Sequence, residues 1–311
     1  MSQQSTDTVL MIRPVQFKLN EQTSINNYYQ KHIDGLSALE IQQKALKEFD
    51  DFVKKLESYG IQVIVVDDTE SPETPDSIFP NNWISFHDDG RVGIYPMYAE
   101  NRRQERRSDI IEKIRRTHKV NALVDFTEFE DSNQFLEGTG SMILDRASKI
   151  AYAALSERTN IKPLNDFCKT FDYQAVTFIA NQTVGNKRLP IYHTNVMMCI
   201  ADEFAILCAD SIDDPTERKR LIDKIESTGK EIFYITEEQK ISFAGNMLQV
   251  RSIDNTPHLV MSEAAFTCLT NEQKQNIEQY CSIISSPLYT IETLGGGSAR
   301  CMMAEIFLPK R

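Results

Sequence analysis

The pattern of apolar and polar residues predicts a chain built from short strands and helices. Five apolar runs have the length and β-branched content of buried strands. These runs are "IQVIVV" (61–66), "NALVDF" (121–126), "QAVTFIA" (174–180), "EIFYIT" (231–236) and "SIISS" (282–286). After each of the first four runs comes a hairpin pattern, in which two apolar stretches flank polar turn residues. The turn centres lie near residues 89, 147, 202 and 255, and this nearly even spacing indicates a repeated supersecondary unit.

A helical pattern follows each hairpin, and the third is the clearest. In "DDPTERKRLIDKIESTG", Asp214 is placed as the N-cap and Pro215 in the first turn. Leu221, Ile222 and Ile225 form an apolar stripe that predicts the buried face, and Gly229 marks the end. The repeated unit therefore contains a strand, a hairpin and a helix.

One more helix is predicted before the first apolar run, in "SALEIQQKALKEFDDFVKKLESYG" (37–60). Its own strands must come from elsewhere, and the candidates are "TVLMIR" (8–13) and "CMMAEIF" (301–307), near the two ends of the chain. The two ends then close a ring of five units. We therefore predict a single α/β domain over residues 1–311.

The repeat also predicts where a functional site lies. The connection between the first strand and the hairpin has the same place in every unit, so five connections should meet at one end of the ring, around its axis. They are "FPNNW" (79–83), "LEGTGS" (136–141), "YHTN" (192–195), "FAGNM" (243–247) and "GGGSARC" (295–301).

Composition narrows the classes of function. The 311 residues are 41% apolar and 25% charged, which is typical of a globular protein with a large core. The net charge is −11 and the one basic run is "NRRQERR" (101–107), so we expect no nucleic-acid binding. The first residues lack a signal-peptide pattern, and no stretch approaches about 18 consecutive apolar residues. We therefore expect no membrane association and a cytoplasmic location.

The spacing of cysteine and histidine argues against a metal site. The six cysteines contain no C-x-x-C motif, and the five histidines show no zinc-ligand spacing. We expect free thiols and no bound metal.

Cys301 differs from the other cysteines because it follows Gly295, Gly296 and Gly297, three of the twelve glycines in the chain. Glycines let a loop adopt positive φ and let a substrate approach the backbone closely. A cysteine after such a loop is a candidate nucleophile, whereas a cysteine taken alone is more often a small buried hydrophobic residue.

His193 and Glu137 lie in two of the other predicted connections. An imidazole titrates near neutral pH, so His193 is a candidate acid or base that activates the thiol of Cys301. Glu137 is a candidate to orient the imidazole or the substrate. The structural alternatives, a satisfied core histidine and a surface glutamate before a turn, stay open.

Amide side chains occur in three connections, and Asn195 lies in the third of the five. Asn81 and Asn82 precede Trp83, the only tryptophan, and Asn246 lies in the fourth connection. Asn81 and Asn82 are either turn residues or groups that hold a polar, uncharged, planar part of a ligand. We count all five residues as candidate substrate contacts.

The motifs "LEGTGS", "SERTN", "PIYHTN" and "GGGSARCMMAEI" together resemble those of the guanidine-modifying superfamily of arginine deiminases, dimethylarginine hydrolases and amidinotransferases. The resemblance spans nearly the whole chain and implies a five-fold pseudosymmetric α/β propeller (pentein) with an axial active site. It implies Cys301 as the nucleophile, His193 as general acid and base, and Glu137 as its carboxylate companion. It also implies that Arg158 and Arg103 hold the α-carboxylate of an amino-acid substrate, a task that suits bidentate arginine.

Two residues depart from the superfamily pattern. Asn82 and Asn195 stand where related enzymes usually have aspartates that pair with a cationic guanidinium. A buried guanidinium without its counter-charges would lose on the order of 3 to 5 kcal/mol. A neutral ureido group avoids this cost, because an asparagine offers both a donor and an acceptor. The forms "FPNNW", "NRRQERR" and "HTN" are likewise similar to a citrulline-hydrolysing branch. Glu137, Glu130 and Asp131 remain as carboxylates that can neutralise a cation, so arginine stays open.

We therefore predict a cysteine hydrolase that converts citrulline to ornithine, ammonia and carbon dioxide without an organic cofactor. The alternatives are an arginine deiminase, a dimethylarginine hydrolase or an amidinotransferase-like enzyme on a guanidino substrate. From another class, the alternative is an inactive amino-acid-binding module. The expected partner is a small amino acid, and a homodimer is left open.

Overall fold

The computed structural model describes residues 3–311, so residues 1 and 2 of the predicted domain (1–311) lie outside the described residues. Within this range the chain forms seventeen strands, β1 to β17, at Thr8–Arg13, Gln62–Asp67, Ile84–Phe86, Arg91–Ile94, Ala122–Asp125, Ile143–Asp145, Ile150–Ala154, Gln174–Phe178, Asn181–Val184, Lys187–Pro190, Met198–Ile200, Phe204–Leu207, Glu231–Tyr234, Leu248–Arg251, Pro257–Ser262, Ser282–Ser286 and Ala304–Glu305. Over the same residues it forms nine α-helices, α1 to α9, at Ala38–Ser58, Ser108–Arg115, Gly138–Ser141, Ile161–Phe171, Pro215–Glu226, Glu237–Ile241, Glu263–Cys268, Asn271–Glu278 and Tyr289–Gly295.

Five three-stranded sheets share one design. Their strand orders are β17–β1–β2, β3–β4–β5, β6–β7–β8, β11–β12–β13 and β14–β15–β16. In each sheet the first two strands are antiparallel and the third is parallel to the middle strand. Helical segments connect the middle strand to the third in every unit. This confirms the predicted α/β class, the four hairpins and the pairing of the two chain ends in one unit.

The local signals of the third predicted helix are also confirmed. The side chain of Asp214 accepts hydrogen bonds from the backbone N–H groups of Thr216 and Glu217, so it caps α5. Leu221 and Ile225 are its buried residues. Gly229, shortly after the helix, has a φ of +80°, a conformation that glycine adopts without strain.

One prediction about the strands is wrong. The five apolar runs were expected to be fully buried, but they form the third strand of each sheet, which lies at the sheet edge. β5 is the clearest case, since Leu123 is 47% exposed. The first strand of each sheet also lies at an edge but is buried, because it packs against the first strands of other sheets, whereas the third strand is covered mainly by helices. The β9–β10 hairpin was not predicted.

Apolar clusters join each sheet to the next. One cluster joins the β17–β1–β2 sheet to β3–β4–β5, and a second joins β3–β4–β5 to β6–β7–β8. A third spans the sheets of β6 to β8, β11 to β13 and β14 to β16. A fourth joins β14–β15–β16 back to β17–β1–β2. The clusters therefore link the five sheets in a closed series.

Candidate active site

The predicted connections contact one another. The 3₁₀ turn that contains Asn82 lies against α3, which directly follows Glu137, and against the turn that contains Cys301. Helix α3 in turn lies against the short turn that follows His193. These contacts bring segments that are distant in the sequence to one region of the fold.

Glu137 and His193 form a buried pair. Nε2 of His193 lies 2.7 Å from Oε2 of Glu137. Oε1 of Glu137 accepts a hydrogen bond of 2.9 Å from the backbone N–H of Tyr98. Nη1 of Arg158 lies 3.6 Å from Oε2. Both oxygens of the carboxylate therefore have partners within the protein.

The charges of this pair follow from its surroundings. Burial raises the pKa of Glu137, but Arg158, His193 and Arg102 outweigh burial and lower that pKa to about 2. Burial lowers the pKa of His193 to about 4, although Glu137 acts to raise it. At neutral pH the pair is thus a carboxylate beside a neutral imidazole. Because a carboxylate only accepts hydrogen bonds, we assign the imidazole proton to Nε2, which leaves a free lone pair on Nδ1.

Gly140 lets His193 and Asn82 approach each other beside α3. A Cβ atom at residue 140 would lie 2.9 Å from Nδ1 of His193 and 2.3 Å from Nδ2 of Asn82. Any larger residue would displace both groups. Gly140 had no predicted role, although the second glycine of "LEGTGS" was the available signal.

The thiol of Cys301 is 3% exposed and lies in a 3₁₀ turn. Its Sγ atom lies 3.2 Å from Nδ2 of Asn195 and 3.2 Å from Nδ2 of Asn246. Both amides had been predicted as substrate contacts, and the structure directs one N–H group of each toward the sulfur.

The glycines before Cys301 have protein neighbours. Gly295 ends α9, and a Cβ atom there would lie 2.7 Å from the ring of Phe79. Gly296 has a φ of +62°, and a Cβ atom there would lie 2.5 Å from Nδ2 of Asn27. The expectation that these glycines make room for a substrate is therefore wrong in part, because at both positions the space is taken by side chains of the protein.

Asn82 is held by an arginine that the sequence analysis did not select. Nη1 of Arg102 donates a hydrogen bond of 2.8 Å to Oδ1 of Asn82. Glu105 anchors Arg102 with bonds of 2.8 and 2.9 Å, and both side chains are buried. Within residues 3–311, Nδ2 of Asn82 has no hydrogen-bond partner. The spacing of Arg102 and Glu105, three residues apart in a helical turn, was the available signal.

The two arginines that were predicted to hold a carboxylate have different surroundings. Arg158 is buried, and its Nε donates to Oδ1 of Asn26 at 2.9 Å. Arg103 is 27% exposed and donates from Nε to the backbone oxygen of Met97 at 3.1 Å, with Glu130 at 3.4 Å. Arg158 therefore lies beside Glu137, whereas Arg103 is tied to an adjacent loop.

Asn81 and Trp83, two other predicted substrate contacts, also have different surroundings. Asn81 is buried, and its Nδ2 donates to Oγ1 of Thr139 at 3.3 Å, next to Glu137. Trp83 is 1% exposed and packs in the apolar cluster between the first two sheets. Its indole thus packs as a core group, and its role as a substrate contact stays a prediction.

An N-terminal segment, residues 20–31, covers the site, and we call it the N-terminal cover. Its Asn27 donates to the backbone oxygens of Gly295 and Gly296, at 3.4 and 3.3 Å. The backbone oxygen of Thr23 accepts a bond of 2.8 Å from Arg158. A cavity of about 180 Å³ lies beside the cover and is lined in part by Arg158 and Tyr192. The lining of this cavity includes Asn26 and Tyr28 of the cover but neither Cys301 nor His193, both of which are buried.

Metal-ligand clusters and membrane-spanning helices are both absent from the described residues. Among residues 3–311, no three His, Cys, Asp or Glu side chains are grouped so that they can hold a metal ion. Over the same range, no helix has the length and the apolar character to cross a membrane.

Solved structures with a similar fold include amino-acid-modifying enzymes. ArgZ, an arginine dihydrolase from the ornithine-ammonia cycle in Cyanobacteria, superposes with a TM-score of 0.74 at 16% identity, over 97% of this chain and 41% of ArgZ. AgrE in complex with ornithine and NAD+ gives 0.75 at 17% identity, over 98% of this chain and 40% of AgrE. A dimethylarginine dimethylaminohydrolase adduct with S-methyl-L-thiocitrulline gives 0.61 at 14% identity, over 98% and 100%. The chain thus spans about two fifths of full-length ArgZ and AgrE.

The curated proteins contain no match to the chain. The family model described as "N,N dimethylarginine dimethylhydrolase, eukaryotic" matches residues 13–308, which is nearly the whole sequence. The chain therefore belongs to the dimethylarginine dimethylhydrolase family, within the guanidine-modifying superfamily.

Proposed function

We propose that the protein is a cysteine hydrolase that cleaves the ureido group of citrulline. In this proposal the five sheets are the blades of an α/β propeller, and the axial connections form the active site. Membership of a family of hydrolases that act on C–N bonds supports the reaction class. The choice of citrulline within that class rests on the amide groups of the site.

The orientation of the Asn82 amide is the observation that carries the proposal. Arg102 has only N–H donors, so the group that faces it must be the oxygen of Asn82. The remaining group, Nδ2, is a donor without a partner among the described residues, and it lies beside His193. A ureido oxygen can accept that hydrogen bond. A guanidinium has only donors and would leave Nδ2 unsatisfied, which costs about 1 to 3 kcal/mol in a buried site.

A second amide complements the first. Oδ1 of Asn195 is buried and has no partner in the part of the chain that the structure describes. It can accept an N–H group of a substrate. One free donor and one free acceptor match the C=O and N–H groups of a urea. Glu137, the carboxylate beside them, is already bound to His193 and Tyr98.

The first half of the reaction forms a covalent bond to sulfur. Nδ1 of His193 takes the thiol proton of Cys301, and Sγ attacks the ureido carbon. The tetrahedral intermediate then expels one nitrogen, which takes the proton back from His193. The C–N bond breaks, an amine leaves, and a thiocarbamate ester of Cys301 remains.

Water completes the reaction. Nδ1 of His193 takes a proton from water as the oxygen attacks the thiocarbamate carbon, and the S–C bond breaks to restore the cysteine. The carbamate product decomposes to carbon dioxide and an amine. Whichever nitrogen leaves first, citrulline and water yield ornithine, ammonia and carbon dioxide. In this proposal Arg158 and Arg103 hold the α-carboxylate of the amino acid, which requires Arg158 to exchange its bonds to Asn26 and Thr23 for bonds to the substrate.

Arginine dihydrolase activity is the second candidate function. It is favoured by the fold shared with ArgZ, whose N-terminal domain bound to substrate superposes over 97% of this chain at 15% identity with a TM-score of 0.73. Both candidates use the same thiol and the same hydrolytic second step. They differ in whether a cationic substrate is accepted.

Parallel incubations with citrulline and with arginine separate the candidates. Ornithine and ammonia are measured for the protein and for its Cys301→Ala variant. We expect citrulline to give equal amounts of ornithine and ammonia, and arginine to react at least about 10-fold more slowly, the smallest ratio that one unsatisfied donor predicts. Turnover of arginine alone would overturn the proposal in favour of a guanidino substrate.

A further inference from the structure

Cys301 receives hydrogen bonds from two amides of different loops. Nδ2 of Asn195 and Nδ2 of Asn246 are each 3.2 Å from Sγ. All three side chains are nearly fully buried. Two N–H donors bind a negatively charged sulfur more strongly than a neutral thiol, because the charge strengthens both hydrogen bonds.

The orientation of the Asn246 amide follows from its other partners. Oδ1 accepts a hydrogen bond of 3.1 Å from the backbone N–H of Arg300, so the oxygen faces away from the sulfur. Nδ2 also donates to the backbone oxygen of Asn195 at 2.9 Å. Gly245 makes this approach feasible, since a Cβ atom there would lie 2.4 Å from the oxygen of Val196. The donor is therefore held on Sγ by two neighbouring loops.

The sulfur needs such donors because the cationic side chains described at the site are engaged, including Arg300, which pairs with Glu305. Burial alone disfavours an anionic sulfur. His193 is neutral at neutral pH, so it does not supply an imidazolium before the thiol proton moves. Arg158 is bound to the N-terminal cover and to Glu137. A guanidinium substrate would bring its own charge to the sulfur, but a ureido substrate is neutral.

We propose that Asn246 and Asn195 form a two-donor clamp that stabilises the negative charge on Sγ of Cys301 during attack on the substrate. Asn246 is then a catalytic residue, since it touches the reacting atom. The clamp deepens the proposed function and rests on it in one respect, namely that a neutral substrate makes the protein supply this stabilisation.

Alkylation by iodoacetamide tests the clamp without any substrate. The variants are Asn246→Asp and Asn195→Asp, which keep the size of the side chain and replace the N–H donor with an oxygen. Asn276→Asp on α8 is the matched control. Peptide mass analysis measures the labelling rate of Cys301, with the partly exposed Cys268 as an internal reference. Thermal melting shows that each variant is folded.

We expect Asn246→Asp and Asn195→Asp each to slow the labelling of Cys301 by about 10- to 100-fold, because a hydrogen bond to a charged group is lost. The labelling of Cys268 and the control variant should not change. If one variant fails to fold, the labelling rate of Cys301 in the other variant tests the clamp. Labelling of Cys301 at the unmodified rate in a folded variant would overturn the clamp.

Steady-state kinetics give a second, separable readout. With citrulline, loss of a charge-stabilising group lowers kcat with little change in KM, whereas loss of a substrate contact raises KM. A rise in KM alone would overturn the clamp. If the unmodified protein does not turn over citrulline, the proposed function fails, but the labelling experiment still decides the clamp.

Discussion

Cys301 and Cys199 are both buried cysteines, with exposures of 3% and 4%, yet their surroundings differ in kind. Cys199 lies on β11 in the apolar cluster of three sheets, and burial raises the pKa of its thiol to about 12. Cys301 also packs in an apolar cluster, but it lies in a turn where two amide donors reach its sulfur. The comparison teaches that burial alone yields an inert thiol. In the proposed function, the reactivity of Cys301 comes from the polar groups that several loops bring to its sulfur.

The largest expected effect is loss of the nucleophile. Cys301→Ala should reduce citrulline turnover by at least about 10⁴-fold, as is typical when a covalent nucleophile is removed. Cys199→Ala is the matched control and should retain activity, with a loss of about 1 kcal/mol in the free energy of unfolding. Ornithine assays and denaturation curves of both variants check this. Equal activity of the two variants would contradict the different roles of Cys301 and Cys199.

The second-largest expected effect is the loss of the general base, His193. His193→Gln should lower kcat by about 10²- to 10⁴-fold, because proton transfer to and from the thiol and water is lost. Glu137→Gln should lower kcat less, since the imidazole remains but its tautomer is no longer held by a carboxylate. Rates of ornithine formation are compared at saturating citrulline. A Glu137→Gln variant that is slower than His193→Gln would contradict the assigned roles.

The preference for citrulline over arginine should depend on Asn82. In Asn82→Asp, one carboxylate oxygen pairs with Arg102 and the other becomes an acceptor toward the substrate. We expect the ratio of kcat/KM for citrulline to that for arginine to fall by at least about 10-fold, which corresponds to one hydrogen bond. Asn121→Asp, at an exposed turn, is the control. An unchanged ratio would remove Asn82 from the account of specificity.

The smallest expected effect is on the free energy of unfolding in acid. It arises at His193, in the site that contains Cys301, and not at Cys199. The pKa of His193 is about 4 when folded and 6.5 by its ordinary value, so the unfolded state binds more protons between these pH values. The free energy of unfolding therefore falls as the pH drops from 6.5 to 4. His193→Gln should reduce this slope by up to about 1.4 kcal/mol per pH unit. Denaturation midpoints measure it, and identical slopes would contradict a buried neutral imidazole.

The features that the sequence predicted correctly depend on local signals. The hairpins follow from polar turns between apolar stretches, and α5 follows from Asp214, its apolar stripe and Gly229. The meeting of the connections followed from the repeat, because equal units place equal connections at one end. These features need no knowledge of which side chains meet.

The features that the sequence missed depend on tertiary contacts. The choice between Arg102 and Arg103 is decided by which side chain turns inward to Asn82, and neighbouring arginines look alike in a sequence. The direction of the Asn246 amide is set by a backbone N–H of another loop. The exposure of Leu123 follows from the position of its strand at the sheet edge that faces away from the other sheets, since β3 at the opposite edge packs against β17 and is buried. Such outcomes arise only when separate units are packed together.

The central claim is that the sulfur of Cys301 bonds to the ureido carbon of citrulline. Citrulline labelled with carbon-13 at that carbon is mixed with the protein, the reaction is quenched in acid during turnover, and the peptides are analysed by mass. The labelled carbon is predicted on the peptide that contains Cys301, as a carbamoyl group if ornithine leaves first or as an ornithine-substituted thiocarbamate if ammonia leaves first, and not on the peptide that contains Cys199. Turnover of citrulline with no adduct on Cys301, or with the label on another residue, would contradict the central claim.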